Sequence, residues 1–279
     1  MKKYLIINAD DFGYNTQQNE AVTELLSEGL ITSTSVMTVA PCAKQCRELD
    51  SNKYSVGVHL TLNSDEESSK WRSLTGNRSL GGEEGLPCDM KKLTFGVRHR
   101  DVRAELEAQY SFLISMGVKP DHADNHSGTL YGINARRFYI DAFDFCQKHN
   151  LPFRFPKTPG FIERQLGIRL PKPLTGIFDM IVRQGEKRNV SMLDDLVSNP
   201  WSIERINDYE TLRAYYIDAV DNCVDGVTEM FLHPAKAIDD RKSPWTKRVF
   251  EYELLKSGDL LQRAHEKGVE VVSWKIFSE

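Results

Sequence analysis

Short runs of β-forming residues alternate with amphipathic helical stretches along most of this chain, and few folds accept that order. Residues 4–7, 32–40, 54–62, 122–126, 227–232 and 269–276 read as strands. After the first of them, Asn15 offers a helix N-cap with Gln18 three residues on, a capping-box arrangement. Val22, Leu25 and Leu26 share one face of the helix that follows, and Gly29 ends it. Residues 42–49, 101–116, 134–149, 208–221 and most of 247–267 also read as helical, with Leu106, Tyr110, Leu113 and Ile114 marking the apolar face of 101–116. Repeated strand-then-helix order predicts a parallel sheet with helices outside it, either open or closed into a barrel. Periodicity fades over residues 63 to about 100 and again over 151–207, where long loops are expected.

In either form of such a sheet, chemistry gathers at the C-terminal ends of the strands. The first strand runs into Asn8-Ala9-Asp10-Asp11-Phe12-Gly13. Adjacent carboxylates at the mouth of an apolar strand raise one another's pKa and are costly to bury, so a nearby cation is expected. The competing account has one Asp capping the next helix while the other faces water. Successive side chains on a regular strand point to opposite faces. If both Asp serve one site, the strand must turn or bulge near Asp10, and Gly13 makes a sharp exit possible. His59 lies near the end of the third strand, where a satisfied core histidine is the plainer account. His122, Asp124 and His126 alternate at period two and project from one face, unless that strand is a solvent-facing edge. His233 follows Phe231-Leu232. Four of the seven histidines fall in this set, and His99, His149 and His265 are expected to be solvated.

Composition removes several classes of function. A chain of 279 residues with 40% apolar content can bury a sizeable core. The net charge of −4 and the absence of a basic patch argue against nucleic-acid binding. The apolar start stops at Asn8, too short for a signal-peptide core, and no segment is long enough to span a membrane. Five cysteines without a CxxC pair suit a reduced, cytoplasmic chain, with Cys42 and Cys46 as structural thiols on one helix face.

Asn8-Ala9-Asp10-Asp11-Phe12-Gly13, Gly57-Val58-His59-Leu60-Thr61-Leu62, His122-Ala123-Asp124-Asn125-His126 and the late His233-Pro234 resemble, in order and spacing, the YdjC-like carbohydrate deacetylase family. The resemblance runs over essentially the whole chain. It implies an α/β fold, a distorted (β/α) barrel with parallel, TIM-barrel-like strands, as one domain over 1–279 with insertions at about 63–100 and 157–207. It implies removal of acetyl groups from N-acetylated sugars such as chito-oligosaccharides, with one divalent metal ion. Carried over by position, Asp11, His59 and His126 are metal ligands, Asp10 is the general base and His233 the general acid. Gly128 stands where many members carry a second histidine, so that histidine's contribution is missing here.

The residue types suit this chemistry apart from the family. One carboxylate and two imidazoles leave open positions on a cation, as catalytic sites do. A metal lowers the pKa of bound water towards ~7, making it the nucleophile, and polarises the acetyl carbonyl. Asp10 can take a proton from that water, and His233 can protonate the departing amine. His122 or Asp124 can hold a ligand imidazole in its tautomer. Imidazoles favour Zn, Ni, Co or Fe, whereas Mg prefers oxygen, and Mg and Zn both stay open. Trp71 in the first insertion is a candidate to cover a sugar ring, with a local hydrophobic anchor as the alternative. Arg154, in Phe153-Arg154-Phe155-Pro156, is a candidate contact for a carbonyl or phosphate, with a surface salt bridge as the alternative. Partners on this reading are an N-acetylated oligosaccharide and at most a second copy in a homodimer, with neither nucleic acid nor membrane. Two further readings compete: a metal-independent glycoside hydrolase using Asp10 with Asp124, and a non-catalytic sugar-binding barrel. Two His and one carboxylate also suit an iron oxygenase, though nothing points to an oxo-acid cosubstrate.

Overall fold

The computed structural model describes residues 2–132, 136–237 and 244–278. Its strands are β1 (Lys3–Phe12), β2 (Ser33–Val36), β3 (Ser55–Leu60), β4 (His122–Asn125), β5 (Asp195–Val197), β6 (Gly226–Leu232) and β7 (Glu270–Val271). Around them lie α1 (Thr16–Ser27), α2 (Met90–Gly96), α3 (His99–Ser115), α4 (Phe138–His149), α5 (Gly160–Leu166), α6 (Lys172–Glu186), α7 (Ile203–Ile206), α8 (Tyr209–Asp221), α9 (Pro244–Ser257) and α10 (Asp259–Glu266). All the strand pairings are parallel, in the order β4-β3-β2-β1-β6-β5, with β7 against the start of β1.

The ring is closed by residues 153–156. Phe153 bridges to Ala123 of β4, and Pro156 bridges to Leu193 just before β5. The Arg154 N–H donates to the Ala123 carbonyl at 2.9 Å, and the Leu193 N–H to the Phe155 carbonyl at 3.1 Å. Isolated bridges replace a continuous ladder there, and the result is a distorted (β/α) barrel.

Alternation on β1 sorts its side chains. Leu5, Ile7 and Ala9 join the large core under the helices, while Ile6 joins Leu193, Leu196 and Trp274 inside the ring. Asn8 and Asp10 lie above Ile6 on the same face, so charged groups accumulate towards the barrel mouth, above a floor where Ile6 and Trp274 stand beside buried Glu229. The helices follow from local rules. Asn15 caps α1 by accepting the Gln18 N–H at 2.9 Å, and Val22, Leu25 and Leu26 are buried against the sheet, worth about 2 kcal/mol each. The capping box is only half made, because the Gln18 side chain donates instead to the Asp10 carbonyl.

Several expectations need correction. The second strand stops at Val36, where Met37–Ala40 form a turn, so 32–40 is not extended throughout. The span 151–207 is no structureless excursion. It holds the closing stave, β5, α5, α6 and α7, and staves of three or four residues are too short to show a period of two. The terminal strand is only Glu270–Val271, after which a 3₁₀ turn, Trp274–Phe277, sets the Trp274 indole into the barrel floor. Residues 63–100 carry α2 and short 3₁₀ turns, tied down where buried Glu105 accepts the N–H groups of Leu74 and Thr75. Gly258 (φ 76°) divides the expected 247–267 helix into α9 and α10. The expected helix start at Asn134 lies outside the described residues, and α4 is seen from Phe138. Ile114 is exposed rather than packed. All five cysteines are free, with Cys46 buried and Cys42 half-buried.

Candidate active site

Asp11 departs from strand geometry at φ 63°, and the β1–β2 register shifts between Ala9 and Phe12. This left-handed residue is the bulge that two adjacent site carboxylates required. Gly13 follows at φ 108°, where a Cβ would meet Ala43 Cα and the Met37 carbonyl at 3.0 Å. The turn brings Asp11 onto the same mouth as Asp10.

Three side chains from distant positions converge there. Asp11 Oδ1 lies 3.2 Å from His59 Nε2 and 3.5 Å from His126 Nδ1. One ligand atom from each residue fits within a 4.8 Å set, and all three residues are buried. Neither Asp11 Oδ1 nor His59 Nε2 has a hydrogen bond of acceptable geometry, although both are shielded from solvent. Buried polar atoms left unpaired and facing each other are costly, and a shared cation satisfies them together. The donor set therefore fits a divalent ion.

Each of the three is held from behind. The His59 Nδ1 meets Asp124 Oδ1 at 2.8 Å, and His126 Nε2 meets Asp65 Oδ1 at 2.6 Å. The Arg248 Nη2 donates to Asp11 Oδ2 at 2.8 Å. Carboxylates behind ligand imidazoles fix tautomer and ring orientation. Burial alone would depress His59, but the Asp124 and Asp11 carboxylates beside it raise it to about 10. Burial pushes Asp11 up, yet Arg248 and the two imidazoles hold it well below the usual carboxylate range. A proton and a cation thus compete for one negatively biased pocket.

Asp10 sits one step deeper. The Arg154 guanidinium donates to both its oxygens, at 2.6 and 2.7 Å, and Asn8 Nδ2 donates to Oδ1 at 2.8 Å. The same guanidinium pairs with Asp124 at 2.8 Å and with Glu229 at 2.8 Å. His233 faces Asp10 across the mouth, its Nε2 3.9 Å from Oδ2, and its backbone N–H donates to Glu251 at 2.7 Å. Burial lowers the His233 pKa, Asp11 opposes this and Arg248 adds to it, and the net shift is downward.

The remaining expected residues lie elsewhere. His122 does not reach a ligand. It stands two residues down the strand from Asp124, about 6.6 Å lower, stacked on Trp274 with ring centroids 4.8 Å apart. Arg154 is 2% exposed, so it is neither a surface ion pair nor open to a sugar carbonyl or phosphate. Trp71 is 8% exposed and packs edge-on against His126, with centroids 5.5 Å apart, covering that imidazole rather than offering a face to solvent. Of the outlying histidines, His265 is exposed and the His99 side chain is 42% exposed while its Nδ1 meets Asp141 at 2.5 Å; His149 is the one turned inward, its ring 3.9 Å from Tyr110. Asp65, Glu229, Arg248 and Glu251 were not anticipated. One signal existed, since Trp245, Arg248 and Glu251 fall three apart on α9 and therefore share a face.

A model of the YdjC-like protein family matches residues 4–266. The chain belongs to the YdjC-like family. This YdjC-like chain is 27% identical over 284 residues to a carbohydrate deacetylase of Geobacillus stearothermophilus, with 99% of each chain aligned. It is also 27% identical over 293 residues to a chitooligosaccharide deacetylase of Proteus mirabilis, again with 99% of each. A solved Enterococcus faecalis protein, described as a cellobiose-phosphate cleavage protein, shares the fold at a TM-score of 0.75 and 23% identity over 99% of both chains.

Proposed function

We propose that this YdjC-like protein is a metal-dependent hydrolase that removes acetyl groups from N-acetylated sugars, chito-oligosaccharides among them. The convergence of Asp11, His59 and His126 on one buried point carries this reading. The names of the relatives from Geobacillus stearothermophilus and Proteus mirabilis support the substrate class. On this reading those three side chains hold one divalent ion, Mg or Zn. When bound, such an ion acidifies a water and polarises an acetyl carbonyl.

The chain's own groups then divide the proton work. Asp10, gripped by Arg154, presents its carboxylate beside the ligands and acts as the base. The downward shift of His233 favours its neutral form, and Asp10, 3.9 Å away, is the group at hand to pass it the water's proton for the leaving amine. Asp124 and Asp65 orient the two ligand imidazoles. Trp71 keeps water from one side of His126.

The glycoside hydrolase alternative fares poorly on geometry. Asp10 and Asp124 share one buried guanidinium below the mouth, an arrangement that does not place them on opposite sides of a glycosidic bond. The deciding experiment measures acetate release from N-acetylglucosamine oligomers by protein loaded with Zn2+ or Mg2+ and by protein stripped with chelator. Release that requires the metal is expected. Sugar cleavage unaffected by chelator would overturn the reading in favour of the glycosidase, and metal binding without any acetate would favour the non-catalytic barrel.

A further inference from the structure

Arg248 touches the candidate metal site without belonging to the ligand set. Its Nη2 donates to Asp11 Oδ2 at 2.8 Å and its Nη1 to Gln18 Oε1 at 2.7 Å. The guanidinium carbon lies 5.0 Å from the Tyr14 ring centroid and 5.7 Å from that of Trp245, so aromatic rings confine it on two sides. Gln18 also donates to the Asp10 carbonyl at 2.7 Å. One connected set of side chains therefore holds both halves of the Asp10–Asp11 turn. Asp11 needs such support, because a non-glycine residue in the left-handed region is strained and is held there by its surroundings.

The consequence concerns the two carboxylate oxygens. Oδ1 faces His59 and His126 and lacks a hydrogen bond, whereas Oδ2 is committed to Arg248. A free carboxylate beside a cation can turn to offer both oxygens. With Oδ2 held, only one is on offer.

We propose that Arg248 is a positioning residue that restricts Asp11 to a single ligand oxygen and so preserves a position for water or an acetyl oxygen on the cation. The inference rests on the metal-dependent reading above and adds to it a residue on α9 that sets the number of donors. Arg248 also places a fixed positive charge near the cation, so its removal should not weaken binding electrostatically.

Co2+ separates the possibilities, because its visible bands weaken as the coordination number rises. Wild type, R248Q and R248K are titrated with Co2+, with absorption and calorimetry followed together, and a thermal melt verifies the fold of each. In R248Q the saturated band intensity should fall about twofold or more as Asp11 becomes bidentate, with affinity equal to or tighter than wild type. R248K keeps a donor for Oδ2 and should restore the wild-type spectrum. If R248Q does not fold, R248M is measured by the same criteria. A folded variant with the wild-type spectrum overturns the proposal, as does an affinity loss of about tenfold or more, which would make Arg248 a support for binding rather than a restraint. Wild-type protein that binds no Co2+ removes the metal reading itself, and this inference with it.

Discussion

Arg154 holds both oxygens of Asp10, at 2.6 and 2.7 Å, from a stave 144 positions further along the chain. That pairing fixes the Asp10 carboxylate and links it to Asp124 and Glu229 below. The ligand and base roles proposed for the neighbouring aspartates are therefore separable by mutation.

Asp11→Ala or His126→Ala should lose bound metal and acetate release together. Asp10→Asn should keep the metal while turnover falls by about 10²–10⁴. Asp10 groups with His59 and Asp124 in a second buried set, but both its oxygens are taken by Arg154, so Asp11, His59 and His126 are the proposed ligands. Metal content by elemental analysis, set beside steady-state rates, checks both. An Asp10→Asn enzyme near full speed would remove the base assignment.

His233→Ala should lower kcat by a similar factor of about 10²–10⁴ with little change in KM. The imidazole is 30% exposed and stands opposite the ligands rather than among them. A change confined to KM would make it a substrate contact instead.

Arg154→Met should destabilise the fold by about 3–5 kcal/mol, because Asp10, Asp124 and Glu229 lose the one buried cation they share. Urea unfolding measures this. A loss below ~1 kcal/mol would mean that water or a proton replaces the guanidinium with ease.

Gly57→Ala tests the lower layer. A Cβ there would lie 2.3 Å from His122 Nε2, so the imidazole must leave its stack on Trp274, at a cost of about 1–3 kcal/mol. Adding His122→Ala should recover part of the loss, and a double-mutant cycle in urea reads the coupling.

Away from the site, hydrogen bonds from Lys256, then Lys236 and Tyr252, hold Glu24 down at about 2 against an ordinary value of 4.5. A folded value below the unfolded one gives stability that is present above pH 4.5 and lost as pH falls towards 2. Glu24→Gln should therefore lower Tm slightly at neutral pH, and the difference should vanish as the acid limit is approached. A gap that persists at low pH would assign the effect to packing.

The parts of this architecture legible from residue order are those that repeat or cluster. Asp10, Asp11, His59 and His126 stood out because each ends a run of strand formers, and strand ends share one side of a parallel sheet. β5 was illegible because three residues carry no periodicity, and Pro156 in the closing stave reads as a loop. Glu229 and Arg154 gave no sign of burial, since a lone charged residue in a strand looks the same whether it meets water or a partner across the barrel. Asp65 and Arg248 arrive from a loop and from an outer helix, and only tertiary structure brings them to His126 and Asp11.

Trp274 closes the barrel from below, and its indole N–H reaches Glu229 at 3.2 Å, a carboxylate that also grips Arg154. The tail of the polypeptide is thus two contacts removed from the residue that fixes Asp10. On the function proposed above, a substitution that tugs the indole from its seat would loosen the Glu229–Arg154 pairing and so disturb Asp10 at the opposite pole of the barrel.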